Sequence, residues 1–145
     1  MASPLYLLDT NILVHSVRDD SIWESIQERY QLLLIEPSPI ISITTSGELR
    51  SLAMQFHWGN AKLERMEFLL GYFTEIPIES QNLVRTYSMI DAYLLERGQQ
   101  LGKNDLWIAA TAANLQATLI TTDRDFDFDD LDPLFLRRDW ISTVT

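Results

Sequence analysis

The sequence predicts one α/β domain, a three-layer α/β/α sandwich with a mainly parallel sheet. Short apolar runs of strand length alternate with longer segments of helical periodicity along the chain, a pattern typical of parallel strands joined by covering helices. The 145 residues, of which 46% are hydrophobic, suffice to fill one core. No internal repeat or linker divides the chain. We therefore expect residues 1–145 to form a single domain.

The first predicted strand, residues 5–8, is an apolar run suited to a buried parallel strand. A short helix begins near Asn11 and breaks before Ser21, which is a candidate N-cap for a second helix. The apolar periodicity of this second helix extends to Leu34, and Pro37 marks its end. The pattern predicts a strand followed by two helices.

The same order of elements follows once more. Residues 40–43 form the second predicted strand, and residues 46–55 form the third helix. Gly59 separates this helix from a fourth amphipathic helix. Residues 74–78 are the third predicted strand, which we expect toward a sheet edge because Pro77 cannot donate a ladder hydrogen bond.

The last third of the chain completes the predicted sandwich. The longest helical pattern covers residues 79–97, and Gly98 is expected to cap its end. A sixth helix covers residues 105–115 and leads into a strand at residues 118–121. The sequence around Trp140 allows one further short strand.

Four acidic residues lie where the predicted strands give way to helices. Asp9 ends the first strand, Glu48 lies in the first predicted turn of the third helix, Asp105 begins the sixth helix, and Asp123 follows the last buried strand. Strand ends and helix starts share one edge of a parallel sheet, so these carboxylates are expected to converge. Such a cluster needs a counter-charge, and carboxylate oxygens suit Mg²⁺ or Mn²⁺. The sequence therefore predicts a divalent metal site.

Each of these acids also has a simpler explanation when it is considered alone. Asp9 and Asp105 are good N-cap residues, and Glu48 fits a capping box with a preceding serine or threonine. Asp123 lies in a loop rich in acids, which is more often only solvated. Four independent caps would have no reason to alternate so regularly with strands, whereas metal ligands would.

Composition restricts the chemistry and the partners. The chain has no cysteine, so disulfides and zinc–thiolate sites are excluded. The net charge of −10 opposes broad nonspecific attraction to nucleic acid, although Arg50, Arg124, Arg137 and Arg138 could form a local basic patch. No signal peptide and no apolar run of about 20 residues is present. We expect a cytoplasmic protein that does not interact with membranes.

Four segments, taken in order, closely resemble the PIN-domain ribonucleases, and the nearest branch looks like the VapC-type toxins of type II toxin–antitoxin systems. These segments are LLDTNIL (7–13), ISITTSGEL (41–49), NDLWIAATA (104–112) and LITTDRDF (119–126). The resemblance implies an endoribonuclease dependent on Mg²⁺ or Mn²⁺ that cuts structured RNA such as tRNA or rRNA. It also implies a homodimer that is silenced by an antitoxin, whose C-terminal segment covers the active site.

The resemblance also implies the site residues, carried over position by position. The acidic quartet, expected to bind the metal and to be catalytic, is Asp9, Glu48, Asp105 and Asp123. The supporting polar residues are Thr10, Asn11 and Thr122, with Asp125 able to assist or replace Asp123. Within the quartet, Asp9 and Asp105 are the expected direct metal ligands.

Two other functions fit parts of the sequence. A phosphatase of the haloacid dehalogenase type also places an aspartate at the end of its first strand, but its chemistry needs a second aspartate where this chain has Asn11. A catalytically inactive PIN scaffold that binds a partner protein would suit the acidity. The complete acidic quartet favours the nuclease over both.

Overall fold

The computed structural model describes residues 3–126 and 136–143. Its strands are β1 (Tyr6–Leu8), β2 (Ile40–Ser42), β3 (Thr74–Ile76), β4 (Thr118–Thr121) and β5 (Arg137–Trp140). Its α-helices are α1 (Thr10–Arg18), α2 (Ser21–Tyr30), α3 (Ile43–Gln55), α4 (Asn60–Tyr72), α5 (Gln81–Glu96) and α6 (Lys103–Asn114). A short 3₁₀ turn covers Arg124–Phe126.

The five strands form one sheet in the order β3-β2-β1-β4-β5. Every pairing between these strands is parallel, for example Leu7 opposite Ile40 and opposite Leu119. The order places β1 at the centre and leaves β3 and β5 at the edges. The predicted edge position of the third strand is confirmed, and the strand ends at Ile76, before Pro77.

Alternation along the strands separates the core into two layers. Leu7 and Leu119 face the buried side chains of α5 and α6, including Ile90. The next residues along the same strands, Leu8 and Ile120, face the apolar sides of α1, α2, α3 and α4. Successive strand side chains point to opposite faces, so helices cover both sides of the sheet. The predicted three-layer sandwich is confirmed, while the single domain over residues 1–145 stays a prediction.

The second helix differs from its prediction at both ends. Asp20, and not Ser21, is the N-cap of α2, because its Oδ1 accepts a 3.0 Å hydrogen bond from the backbone N–H of Trp23. The helix ends at Tyr30, so Leu34 lies beyond it and is 78% exposed. Two adjacent residues with good cap chemistry made the start ambiguous, and apolar periodicity overran the true end.

The third helix begins earlier than its sequence predicted. Ile43 starts α3 rather than ending β2, and the Ser42 Oγ accepts the backbone N–H of Thr44 at 3.2 Å as the N-cap. Glu48 therefore lies in the second turn, not the first, and the capping box considered for it is absent. The carboxylate of Glu48 is left to interact with other elements.

The last two helices also differ slightly from their predictions. Ser80 caps α5, and Gly98, with φ +70°, follows its C-terminal end in the left-handed region, as expected for a glycine at this position. Gly102 precedes α6 without a side-chain cap hydrogen bond, so Asp105 is the third residue of the helix and not its N-cap. The simple capping explanation for Asp105 is therefore wrong.

None of the helices in the described parts of the chain is long and apolar enough to cross a membrane.

Candidate active site

The acidic residues lie at the edge where β1 and β4 end and where α3 and α6 begin. Asp9 follows β1 directly, and its backbone N–H bonds to the Ile120 carbonyl of β4 at 3.0 Å. Asp123 follows β4, while Glu48 and Asp105 project from the N-terminal halves of α3 and α6. The parallel order of the strands produces this arrangement.

The carboxylate of Asp9 is buried and fixed by three donors. It is 3% exposed. Its Oδ1 accepts the backbone N–H of Thr10 at 2.8 Å, while its Oδ2 accepts the hydroxyl of Thr121 at 2.6 Å and the amide of Asn11 at 3.2 Å. Asp9 is the N-cap of α1 and also part of the acidic cluster. The capping explanation and the acidic-cluster explanation, which were alternatives in the sequence, therefore both apply to Asp9.

Thr10 connects the first helix to Glu48. Its hydroxyl donates to the Glu48 Oε1 at 2.8 Å and lies 3.1 Å from the Thr45 Oγ1. Glu48 is half-buried, and this bond fixes one of its two carboxylate oxygens. Thr10 thus contacts two of the four acids, Asp9 through its backbone N–H and Glu48 through its hydroxyl, while its supporting role stays a prediction.

The turn after β4 is tied to the rest of the site through its backbone. The N–H of Thr122 donates to the Asn11 Oδ1 at 3.2 Å, and the N–H of Asp123 donates to the Thr121 Oγ1 at 2.9 Å. Asp123 in turn accepts the N–H of Asp125 through its Oδ1 at 2.8 Å. Asn11 thus holds both Asp9 and this turn in place.

Three carboxylates form a group with the spacing of a metal site. Asp105, Asp123 and Asp125 each offer an oxygen, and these oxygens lie within 4.8 Å of one another. Hard carboxylate oxygens at this spacing fit Mg²⁺ or Mn²⁺. Asp9 and Glu48 are not part of this group, and the ligand roles predicted for the four acids stay predictions.

The charges of the cluster act on one another. Burial, above all, raises the pKa of Asp9 to about 6, although hydrogen bonds from Thr121 and Thr10 lower it. Burial also raises the pKa of Asp105 to about 7, and the negative charges of the surrounding acids raise it further. These acids, in decreasing order of effect, are Asp9, Asp123, Glu48 and Asp125. A bound divalent cation would relieve this repulsion, which is a second reason why the residues fit one.

The chain matches the model of the PIN domain over residues 6–132. The chain belongs to the PIN-domain family. It is 30% identical over 120 residues to Ribonuclease VapC1 of Haemophilus influenzae, an alignment that covers 81% of this chain and 85% of that protein. The family resemblance expected from the sequence is confirmed.

Solved structures give the same family and the same fold. The VapBC-1 structure from nontypeable Haemophilus influenzae superposes with a TM-score of 0.72 at 27% identity, covering 94% of this chain and 97% of that chain. A member of the VapBC family of toxin-antitoxin systems, VapBC-5 from Mycobacterium tuberculosis, gives a TM-score of 0.67 at 25% identity, covering 97% and 100%. The α/β fold of this PIN domain is therefore shared with toxin–antitoxin structures.

The site of this PIN domain contains one residue that the sequence did not single out. Thr121, the last residue of β4, is 1% exposed, and its hydroxyl donates to Asp9 and accepts from the N–H of Asp123. The sequence pointed to Thr122 instead, which contributes its backbone N–H. A buried hydroxyl at a strand end was the available signal, but two adjacent threonines made the choice ambiguous.

The arginines suggested as a basic patch make separate contacts. Arg50 pairs with Glu67 on α4, at 2.5 Å between the Nη1 and Oε1 atoms. The guanidinium of Arg124 lies over the ring of Trp140, 3.4 Å from its centroid. Arg137 donates to the carbonyl of Gln116, and Arg138 donates to the carbonyl of Leu136 at 3.0 Å. Among these, Arg124 stands next in sequence to the acidic group of the PIN domain.

Proposed function

We propose that this PIN domain is a metal-dependent endoribonuclease that hydrolyses RNA phosphodiester bonds and serves as the toxin of a toxin–antitoxin pair. The observation that carries the proposal is the carboxylate group Asp105, Asp123 and Asp125 beside the buried Asp9. The name of the curated ribonuclease relative supports the activity. The similar toxin–antitoxin structures support an antitoxin partner.

The metal in this proposal is Mg²⁺ or Mn²⁺, held by Asp105, Asp123 and Asp125. When bound, it would supply Lewis-acid activation of water and would neutralise charge on the scissile phosphate. Asp9 completes the negative potential of the site from its buried position. The donors Thr10, Asn11 and Thr121 orient it, and the bonds from Thr121 and Thr10 favour its ionised form. Support from hydrogen-bonded neighbours of this kind is typical of metal sites.

Glu48 has a different part in this mechanism. Its Oε1 is held by the hydroxyl of Thr10, which leaves Oε2 to accept a hydrogen bond from the attacking water and orient it toward the phosphate. The reaction is hydrolytic, because water and not a side chain attacks the phosphorus. The quartet Asp9, Glu48, Asp105 and Asp123 therefore acts as one site, with Asp125 as an additional ligand.

A groove beside Glu48 suits a strand of RNA. It has a volume of about 500 Å³ and lies mainly along α3, reaching the start of α6. Hydrogen-bonding side chains without charge dominate its walls, namely Thr44, Ser51, Gln55 and Asn104. Such groups can bond to bases and sugars of single-stranded regions, which is how RNA sequence is usually read. The substrate we propose for this groove is a structured RNA with an accessible loop, such as tRNA or rRNA. Because the net charge of −10 opposes general attraction to RNA, its binding depends on such local contacts.

The partners and the location belong to the same proposal. An antitoxin would silence the nuclease by covering the acidic edge and placing a basic side chain among its carboxylates. The active form is a homodimer in the cytoplasm, where tRNA and rRNA are available. A phosphatase of the haloacid dehalogenase type has less support, because Asn11 stands where that chemistry needs an acid and is engaged with Asp9 and Thr122.

An Asp105→Asn variant tests the nuclease proposal. It removes one ligand charge with little change in shape, and we expect cleavage of tRNA in the presence of Mn²⁺ to fall by more than the roughly 10–100-fold typical of losing an outer-shell partner. Asp19→Asn is the matched control, since Asp19 is exposed, lies outside the acidic group and has φ 52°, which asparagine tolerates. Equal activities of Asp105→Asn and wild type would refute the assignment. Wild type without any cleavage would favour the inactive scaffold.

A further inference from the structure

The edge strand β5 ends beside the acidic turn. Trp140, its last residue, is in register with Thr121, the last residue of β4. The backbone N–H of the next residue, Ile141, bonds to the Thr121 carbonyl at 2.8 Å. The main chain of β5 is therefore fixed next to the threonine whose hydroxyl joins Asp9 to Asp123.

The side chain of Trp140 makes two contacts with the turn at residues 122–125. Its indole Nε1 donates to the carbonyl of Thr122 at 3.1 Å. The guanidinium of Arg124 lies over the Trp140 ring, with 3.4 Å between the guanidinium carbon and the ring centroid. This is a favourable cation–π geometry. Arg124 stands between Asp123 and Asp125, so both contacts act on the segment that carries two of the three grouped carboxylates.

The turn needs such restraint because its carboxylates repel each other and Asp105. Three negative groups with oxygens within 4.8 Å of one another would separate if the backbone that carries them could rotate. Asn11 and Thr121 hold the turn through its N–H groups from the side of β1 and β4. Trp140 holds it from the side of β5, through the Thr122 carbonyl and the Arg124 side chain.

We propose that Trp140 is a positioning residue for the metal site, which keeps Asp123 and Asp125 directed toward Asp105 before a cation binds. It acts through the turn, by its contacts with the Thr122 carbonyl and the Arg124 guanidinium. The inference rests on the proposed metal-dependent function. Its consequence is that the metal affinity of the protein depends on an aromatic side chain of an edge strand.

The test compares Trp140→Phe with Trp58→Phe. Phenylalanine at position 140 keeps an aromatic face for Arg124 but loses the N–H donor to Thr122. Trp58 is half-buried and packs against the core layer formed by α1 to α4. Trp58→Phe is therefore the matched control, because it also removes an indole but not one that contacts the acidic turn. For each purified protein, titration calorimetry gives the Mn²⁺ dissociation constant, and thermal scans in EDTA give the metal-free stability.

We expect Trp140→Phe to weaken Mn²⁺ binding by about tenfold, the lower end of the cost of losing an outer-shell partner. Trp58→Phe should leave the dissociation constant within about twofold of wild type, a difference that corresponds to less than about 0.5 kcal/mol. Trp140→Leu, which loses the aromatic face as well, should bind more weakly than Trp140→Phe. If Trp140→Leu does not fold, the Mn²⁺ dissociation constants of Trp140→Phe and Trp58→Phe still test the inference.

Equal Mn²⁺ affinities for Trp140→Phe and wild type would overturn the inference while leaving the nuclease proposal intact. At saturating Mn²⁺ we expect the RNA cleavage rate of Trp140→Phe to return to within a few-fold of wild type, because no reacting group is lost. A rate that stays low would instead assign Trp140 to contact with RNA and refute the positioning role. Wild type that neither binds Mn²⁺ nor cleaves RNA would refute both proposals.

Discussion

At the scale of single residues, Thr121 joins the two halves of the acidic site. Its hydroxyl donates to Asp9 at 2.6 Å and accepts the N–H of Asp123 at 2.9 Å, so a single side-chain oxygen positions both acids. The sequence predicted the acids themselves, because their types and places at strand ends follow simple rules. It did not predict this connection, because the partners lie 112 residues apart and only the folded sheet brings them together.

Replacement of Thr121 by valine should impair both stability and catalysis. Valine has nearly the same shape but leaves the half-buried N–H of Asp123 without its acceptor and removes one of the two donors to the Asp9 Oδ2, which costs about 1–3 kcal/mol. The pKa of Asp9 should rise further, because the threonine hydrogen bond lowers it. Urea unfolding and RNA cleavage at neutral pH measure the two effects. Thr121→Ser, which retains the hydroxyl, should stay near wild type, and a valine variant as stable and active as the serine variant would contradict this account.

The raised pKa of Asp105 predicts how stability depends on pH without metal. In the unfolded chain this carboxyl titrates near 3.8, whereas in the folded protein it titrates near 7. Between these values the folded state binds more protons, so the contribution of Asp105 to the free energy of unfolding is greatest below about pH 4 and falls as the pH rises toward 7. Asp9, with a pKa of about 6, acts in the same direction.

Urea unfolding in EDTA from pH 4 to pH 8 measures this dependence. Asp105→Asn should flatten it, because asparagine does not titrate, and should make the metal-free protein more stable than wild type near pH 7. Asp19→Asn is again the control. A decline that is equally steep in Asp105→Asn and wild type would show that other groups cause it.

At the scale of elements, the order of strands and helices followed from the sequence, while their first and last residues often did not. Periodicity reports where apolar side chains recur, and this was enough to place the six helices and the buried strands. The first residue of a helix depends on which of several adjacent polar side chains accepts a hydrogen bond from the backbone N–H groups of the first turn. At α2 both Asp20 and Ser21 have suitable side chains, and the backbone geometry decides for Asp20.

The identity of this cap is testable by substitution. Asp20→Ala should lower the free energy of unfolding by about 1–2 kcal/mol, since it removes the cap of α2. It also removes the partner of His15, whose Nδ1 lies 2.6 Å from the Asp20 Oδ2. Ser21→Ala should change stability by less than about 0.5 kcal/mol, as expected for an exposed site outside the cap. Chemical denaturation of both variants measures these changes in the free energy of unfolding. A larger loss for Ser21→Ala than for Asp20→Ala would favour Ser21 as the N-cap, as the sequence predicted.

At the scale of the whole molecule, the sequence predicted a metal site from the joint placement of four acids, and the structure groups Asp125 with two of them, Asp105 and Asp123. The net charge of −10 is partly concentrated at this edge. Cation binding should therefore stabilise the entire fold, because a ligand that binds only the native state shifts the folding equilibrium.

Thermal scans with EDTA and with millimolar Mn²⁺ should show a higher melting temperature in the presence of metal. At a Mn²⁺ concentration 100 times the dissociation constant, the stabilisation is about 2.7 kcal/mol. Asp105→Asn should reduce the shift, since it removes one ligand and part of the repulsion. The same shift in both proteins, or none in wild type, would mean that the carboxylates serve only as caps and solvated side chains.

From the sheet order we expect the two sides of the site to open locally at different rates. Asp9 follows the central strand β1, whereas the turn with Asp123 is held by β5 at the edge. Edge strands open locally more often than central ones, which hydrogen exchange detects. The amide of Asp9 should exchange only through global unfolding, and the amide of Asp123 through much more frequent local opening. If this turn binds the proposed metal, each such opening would release the cation without global unfolding, and we expect the residence time of the metal to follow the opening rate of the turn.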